Sequence, residues 1–139
     1  MIPSTASGDM PGETGSRSGP TVLVVEDEEV LRIGIRRLLQ SEGYNVLEAP
    51  DGASALTLLE STAPDHVALV LTDLRMPVMD GRQLAAALAR RRPSLPIVFM
   101  SGFTAQLMDL RLVSPGLAFL AKPFRNEDLL AAVKKQLQR

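Results

Sequence analysis

The chain has no cysteine and no tryptophan, and only one histidine and one tyrosine among its 139 residues. Without cysteine, disulfides and thiolate metal sites are excluded, and the composition fits a reducing compartment. The scarcity of aromatic rings and a formal net charge of -1 argue against stacking on bases and against a charge-driven grip on nucleic acid. No apolar run approaches the roughly 20 residues a membrane span needs. The N-terminus also lacks the basic start and apolar stretch of a signal peptide. The expectation is a cytoplasmic protein without membrane contact. His66, at a loop-to-strand entry, reads as an ordinary surface residue.

What remains has the profile of one soluble globular domain, 45% hydrophobic and 22% charged. Residues 1–20 stand apart, because Gly, Ser, Thr and Pro fill 13 of these 20 positions. Such a stretch cannot offset its ordering entropy, so a disordered linker or leader is expected there, with the domain spanning 21–139.

From Thr21 onward, short apolar runs alternate with segments of helical periodicity. Val22–Val25 and Val67–Leu71 are unbroken runs of branched side chains, the pattern of strands buried on both faces. Tyr44–Ala49 reads as an edge strand, Ile97–Met100 as a fourth strand and Leu117–Ala121 as a fifth. Helices are expected over Glu28–Ser41, with Val30, Leu31, Ile35, Leu38 and Leu39 inward and Arg32, Arg36 and Arg37 on the other side, and over Ala53–Ser61. Further helices are expected over Leu84–Arg92, Thr104–Leu112 and Arg125–Gln138. The three-Arg run at Arg90–Arg92 complements a helix C-terminus. Five strands alternating with five helices predict a doubly wound α/β fold, and right-handed crossovers favour the flavodoxin-like parallel order 2-1-3-4-5.

That order brings Glu26, Asp27, Asp73, Ser101 and Lys122 to one carboxyl edge of the sheet. Three carboxylates and one ammonium leave a formal charge of about -2, which a divalent cation would balance. An all-oxygen set suits Mg²⁺, which takes few protein ligands and keeps several waters. A carboxylate beside Mg²⁺ and a Lys is equipped to attack a phosphoryl group, and Ser101 can donate to a phosphoryl oxygen.

Val-Val-Glu-Asp-Glu, Leu-Thr-Asp-Leu-Arg-Met-Pro-Val-Met-Asp-Gly, Met-Ser-Gly and Leu-Ala-Lys-Pro-Phe occur in that order, and together they resemble the CheY-like receiver domains of two-component phosphorelay response regulators. The resemblance covers about Thr21 to Gln138. It implies that Asp73 accepts a phosphoryl group from a phosphohistidine on a histidine kinase or histidine phosphotransfer protein. It implies Mg²⁺ bound by Asp27 and Asp73, by Glu26 mainly through water, and by the backbone carbonyl of Arg75, with Lys122 paired to the phosphoryl group. By the same resemblance Lys122–Pro123 is cis, and Ser101 and Phe119 are the switch pair that reshapes the surface of the fourth helix, fifth strand and fifth helix. The weak fourth helix and the apolar residues of the fifth fit a homodimer face, and equally helices that pack only on their own sheet. The activity so implied is Mg²⁺-dependent self-phosphorylation from a donor, with autodephosphorylation.

Three details depart from the commonest pattern of the family. Glu26 stands where the first Asp of the acidic pair is more usual, Phe119 lacks the hydroxyl of a Tyr, and Arg75 and Phe103 are bulky at the positions that tune dephosphorylation. The expectation is that Arg75 and Phe103 impede the attacking water and lengthen the phosphoryl lifetime. With no output domain expected after Gln138, two contexts fit: a stand-alone regulator, or the receiver of a hybrid sensor histidine kinase, to which the Glu-Asp pair and the Leu-Ala-Lys-Pro-Phe ending point. Two other classes compete with this reading. A phosphorylation-independent interaction module would be supported by loss of Asp73, Asp27 or Lys122, and all three are present. A metal-dependent phosphatase would resemble Asp-x-Asp, where this chain has Arg75.

Overall fold

The computed structural model describes residues 19–63, 66–76, 78–102 and 118–138. Five parallel strands, β1 (Thr21–Val25), β2 (Asn45–Ala49), β3 (Leu69–Asp73), β4 (Ile97–Ser101) and β5 (Ala118–Ala121), form one sheet in the order 2-1-3-4-5. The described helices are α1 (Glu29–Ser41), α2 (Gly52–Glu60), α3 (Gly81–Arg91) and the C-terminal helix (Asn126–Leu137). The expected helix Thr104–Leu112 lies outside the described residues, as do Phe103, the loop prolines Pro64 and Pro77, and the turn Ser114–Pro115–Gly116. Among the described residues no helix is long and apolar enough to cross a membrane.

Side-chain alternation along the central strands builds a core on each face of the sheet. Val22, Val24, Leu69, Leu71, Val98 and Met100 pack with Ile35 and Leu39 of α1 and with Leu129 and Val133 of the C-terminal helix. Leu23, Val25 and Val70 pack with Ala55 and Leu59 of α2 and with Leu84 and Leu88 of α3. β1 and β3 are buried at every position, while β2, at one edge, is mostly half-buried. Burial on both faces explains why the inner strands are continuous apolar runs, and why β2 carries Glu48 among its apolar residues.

Several boundaries differ from the sequence reading. β3 begins at Leu69, where its ladder with β1 starts, and continues through Thr72 and Asp73, which pair with Val25 and Met100. The apolar run marks where the strand is dry, whereas hydrogen bonding carries it to Asp73. α3 starts at Gly81 rather than Leu84, because Asp80 and Gln83 form a capping box, with Asp80 Oδ1 accepting from Gln83 N at 2.9 Å and Gln83 Oε1 from Asp80 N at 3.0 Å. Val30, expected on the inner face of α1, is 81% exposed. At 100° per residue it lies about 125° from the centre of the stripe of Leu31, Ile35, Leu38 and Leu39. Gly19 and Pro20, assigned by composition to the leader, are tied to β2, whose Asn45 donates from Nδ2 to Gly19 O and from its backbone N–H to Pro20 O.

α1 ends as its sequence predicts. Gly43, at φ +93°, follows the cap, with Gly43 N–H donating to Gln40 O and Tyr44 N–H to Leu39 O. This is a Schellman ending, which needs the left-handed conformation that glycine adopts without a Cβ penalty. The Arg run that ends α3 also reaches sideways: Arg91 pairs with Glu60, and Arg92 Nη2 donates to Leu59 O at 2.7 Å, joining α3 to the end of α2.

Candidate functional site

The carboxyl ends of β1, β3, β4 and β5 converge as the topology requires. Asp73 is the last residue of β3 and is 8% exposed. Its position is set by the strand ladder and by Gly81, where a Cβ would come 2.3 Å from Asp73 O. The first residue of α3 must therefore be glycine for the helix to sit against the end of β3. Leu74 N–H donates to Met100 O at 3.0 Å, holding the chain beyond Asp73 against β4.

At the end of β1 the two acids part company. Glu26 turns inward and is 1% exposed, whereas Asp27 is exposed. Glu26 Oε2 accepts from the Glu28 N–H at 3.1 Å, and Oε1 accepts from Lys122 Nζ at 2.9 Å. Lys122 Nζ also donates to Asp73 Oδ2 at 3.1 Å, so one ammonium bridges the ends of β1 and β3. Carboxylate oxygens of Glu26, Asp27 and Asp73 lie within 4.8 Å of one another. Lys122 follows β5 directly, its backbone N–H donates to Ser101 O at 2.9 Å, and its bond to Pro123 is cis.

Burial pushes the Glu26 carboxyl above its ordinary value, outweighing the Lys122 hydrogen bond and the Glu28 N–H, and the neighbouring Asp73 charge acts in the same direction. For Lys122 burial acts to lower the pKa, but the Glu26 hydrogen bond and the charges of Asp73 and Glu26 outweigh it and hold the ammonium above its ordinary value. The site is thus a cluster of negative charge with one resident cation, wedged between two of its carboxylates.

Ser101 closes β4 and is 2% exposed, while Arg75, two residues after Asp73, is exposed. Phe119 on β5 is half-buried, and its ring stacks on Phe99 of the neighbouring strand, centroids 5.9 Å apart and planes at 28°. Phe99 and Phe119 are register partners, which places the two rings side by side on one face. Phe103 lies outside the described residues.

The sequence reading missed a second layer beneath the acids. Arg32 and Arg36, expected on the solvent side of α1, both reach Glu48 of β2, Arg32 Nε to Oε1 at 3.1 Å and Arg36 Nη1 to Oε2 at 2.8 Å. Arg32 Nη1 donates in addition to the backbone oxygen of Glu26 at 2.9 Å. The signal was legible in principle, as two Arg one helical turn apart and a lone acid in the edge strand that follows their helix.

Comparison with known proteins decides what frame this site belongs to. The model of the response regulator receiver domain matches residues 22–134. The chain belongs to that family. Among relatives of this receiver domain, the sensor kinase CckA of Brucella abortus is 38% identical over 120 residues, which are 86% of this chain and 13% of that protein. The positive alginate biosynthesis regulatory protein of Pseudomonas aeruginosa is 42% identical over 117 residues, 82% of this chain and 46% of that protein. The receiver domain thus spans half or less of the length of either relative. The crystal structure of the receiver domain from the hybrid histidine kinase CckA superposes with a TM-score of 0.71 at 36% identity, covering 85% of this chain and 99% of that one. The receiver fold, its CheY-like neighbours and its place in two-component signalling agree with the sequence reading.

Proposed function

We propose that this receiver domain, taken as residues 21–139, is a phosphoacceptor switch in which Asp73 takes a phosphoryl group from a phosphohistidine of a histidine kinase or histidine phosphotransfer protein. The observation that carries the reading is the Lys122 ammonium at 3.1 Å from Asp73 Oδ2, at a carboxylate cluster on the carboxyl edge of the sheet. In the transfer an Asp73 oxygen forms the new P–O bond as the P–N bond of the donor breaks, its electron pair staying on the imidazole nitrogen. Lys122, already placed at Asp73, neutralises negative charge on the phosphoryl oxygens. The Ser101 hydroxyl is the donor assigned to one of those oxygens.

The donor set fits Mg²⁺, with carboxylate oxygens only and no imidazole or thiolate among them. Asp27 and Asp73, with the backbone oxygen of Arg75, are the residues that would hold it. Both Glu26 oxygens already accept hydrogen bonds, which suits contact through water better than direct ligation. When bound, Mg²⁺ supplies charge neutralisation at the phosphoryl oxygens. Ser101 and Phe119 are assigned as the switch pair, and Arg75 as a residue that screens the phosphoryl group from water. On that last assignment Arg75→Ala speeds hydrolysis of phosphorylated Asp73, and an unchanged or slower rate removes it.

The test is intact-mass analysis after incubation with a small-molecule phosphodonor, with and without Mg²⁺, using Asp73→Asn as the control. A Mg²⁺-dependent gain of one phosphoryl group in the wild type, absent from the variant, is expected. Mg²⁺ binding without any gain, from the small molecule or from a phosphohistidine donor, would favour a receiver fold that signals through protein contact alone. The similarity to the CckA receiver supports a hybrid kinase as the parent context, and the predicted partners and charge balance fit a cytoplasmic domain.

A further inference from the structure

Glu26 is the residue at which β1 leaves the sheet, and its backbone N–H is held by the end of β2 while its carbonyl is held from α1. Its N–H donates directly to Ala49 O at 3.1 Å. Its carbonyl accepts from Arg32 Nη1 at 2.9 Å, and that guanidinium is itself held by Glu48 Oε1 at 3.1 Å. The peptide between Glu26 and Asp27 is planar, so fixing its oxygen fixes the plane from which the Asp27 side chain departs. Asp27 is exposed, so few packed neighbours hold its side chain, and the backbone plane is what limits the directions open to its carboxylate.

We infer that Arg32 is a positioning residue for the acidic turn, aiming Asp27 into the carboxylate cluster by gripping the Glu26 carbonyl while Glu48 grips Arg32. The inference rests on the reading of Glu26, Asp27 and Asp73 as a Mg²⁺ site. The guanidinium gives one N–H to Glu48 and another to the Glu26 oxygen from two different nitrogens in fixed directions, whereas a lysine ammonium is a single point donor at the end of a flexible stem and cannot reproduce that separation. Arg36 provides the natural comparison. It lies one helical turn further along α1 and bonds the other oxygen of Glu48 at 2.8 Å, so it shares the anchor without bonding the Glu26 carbonyl.

Charge and positioning predict opposite signs. A guanidinium beside a cation site repels Mg²⁺, so if Arg32 acted only as a charge, removing it would tighten Mg²⁺ binding. If it positions the turn, removing it weakens binding despite the relief of repulsion.

The experiment is a Mg²⁺ titration, without phosphodonor, followed by amide shifts of the full chain, comparing wild type with Arg32→Met, Arg32→Lys and Arg36→Met. The Glu26 carbonyl carbon shift is recorded for each as a direct report on its hydrogen bond. Expected is a weakening of Mg²⁺ binding by about 3- to 10-fold in Arg32→Met, the range one lost hydrogen bond gives, with a displaced Glu26 carbonyl shift, while Arg36→Met stays within about twofold of wild type. Arg32→Lys keeps the charge and is expected to stay weakened; it also carries the test should Arg32→Met not fold. Mg²⁺ binding as tight in Arg32→Met as in Arg36→Met, or full recovery with Arg32→Lys, overturns the inference while leaving the site reading intact. A wild-type chain that does not bind Mg²⁺ overturns the site reading, and the inference with it.

Discussion

The inner strands β1 and β3 and the edge strand β2 divide the work of this domain between them. β1 and β3 are buried at every position, and each hands over at its end to an acid, Glu26 or Asp73, that stays buried. β2 is half-buried over most of its length and carries its acid, Glu48, within the strand, paired to two arginines. A carboxylate at the end of a doubly covered strand is costly to desolvate, and only a nearby cation makes it tolerable. For both acids that cation is Lys122, from the segment after β5, while Arg32 reaches from α1 to Glu48 and to the Glu26 carbonyl. The inner strands end in the buried carboxylates, while the periphery supplies the positive charge paired with them.

The largest effect that sharpens this contrast is in the core. Leu71→Ala in β3, where the side chain is fully buried between covered faces, should lower stability by about 3 to 4 kcal/mol, against about 1 kcal/mol for Val46→Ala in half-buried β2. Urea unfolding of the two variants measures the difference, and equal losses would break the comparison. Gly81→Ala comes next. Its Cβ would meet Asp73 O at 2.3 Å, so α3 must move away from the end of β3, and a loss of about 2 kcal/mol is expected from such overpacking, together with weaker phosphorylation of Asp73.

A pH dependence of stability in the absence of divalent cations should follow from the buried acid. Because the folded-state pKa of Glu26 is raised above its ordinary 4.5, the folded chain holds the extra proton. Its favourable contribution is complete below 4.5 and is lost as pH rises through the raised value. Lys122, raised above 10.5, behaves likewise at the alkaline end, contributing fully below that value and losing the contribution as pH rises through its folded-state value. Glu26→Gln is therefore expected to flatten the decline just above 4.5 and, because the Glu26 carboxylate supplies part of what holds the Lys122 ammonium up, to weaken the alkaline limb while the Asp73 contribution to it remains. Denaturant midpoints measured across that range would show an unflattened curve if the buried charge were not its source. The smallest effect is on the outer face of α1, where a Cβ at Gly34 meets nothing within 4 Å. Gly34→Ala should raise stability by about 0.5 to 1 kcal/mol through backbone entropy alone, readable as a higher midpoint.

Much of the fold was legible because burial on two faces leaves a local mark. Val22–Val25 and Leu69–Leu71 declare themselves as runs of branched apolar residues, and the glycine after α1 announces its end, whereas the start of α3 was placed three residues late because its first turn, Gly-Arg-Gln, carries no apolar residue. The acids at the strand ends were legible for the same reason, since a charge that interrupts a dry strand is conspicuous. Residue by residue, the sequence therefore determined which segments pair, in what order, and that Glu26, Asp27, Asp73, Ser101 and Lys122 meet at one edge.

Only the tertiary structure decided how those groups divide among themselves. Lys122 lies 96 residues from Glu26 and 49 from Asp73, and no local pattern records that it bonds both, that Glu26 is swallowed while Asp27 stays exposed, or that Phe119 lies on Phe99. Arg32 looked like one more charge on a solvated face, and Val30 like part of a core stripe, until the angle at which α1 packs exposed Val30 and carried Arg32 to Glu48. Local periodicity fixes which side of an element is apolar, whereas the rotation of that element against its neighbours, set by packing the whole core, fixes which polar groups at its margins touch.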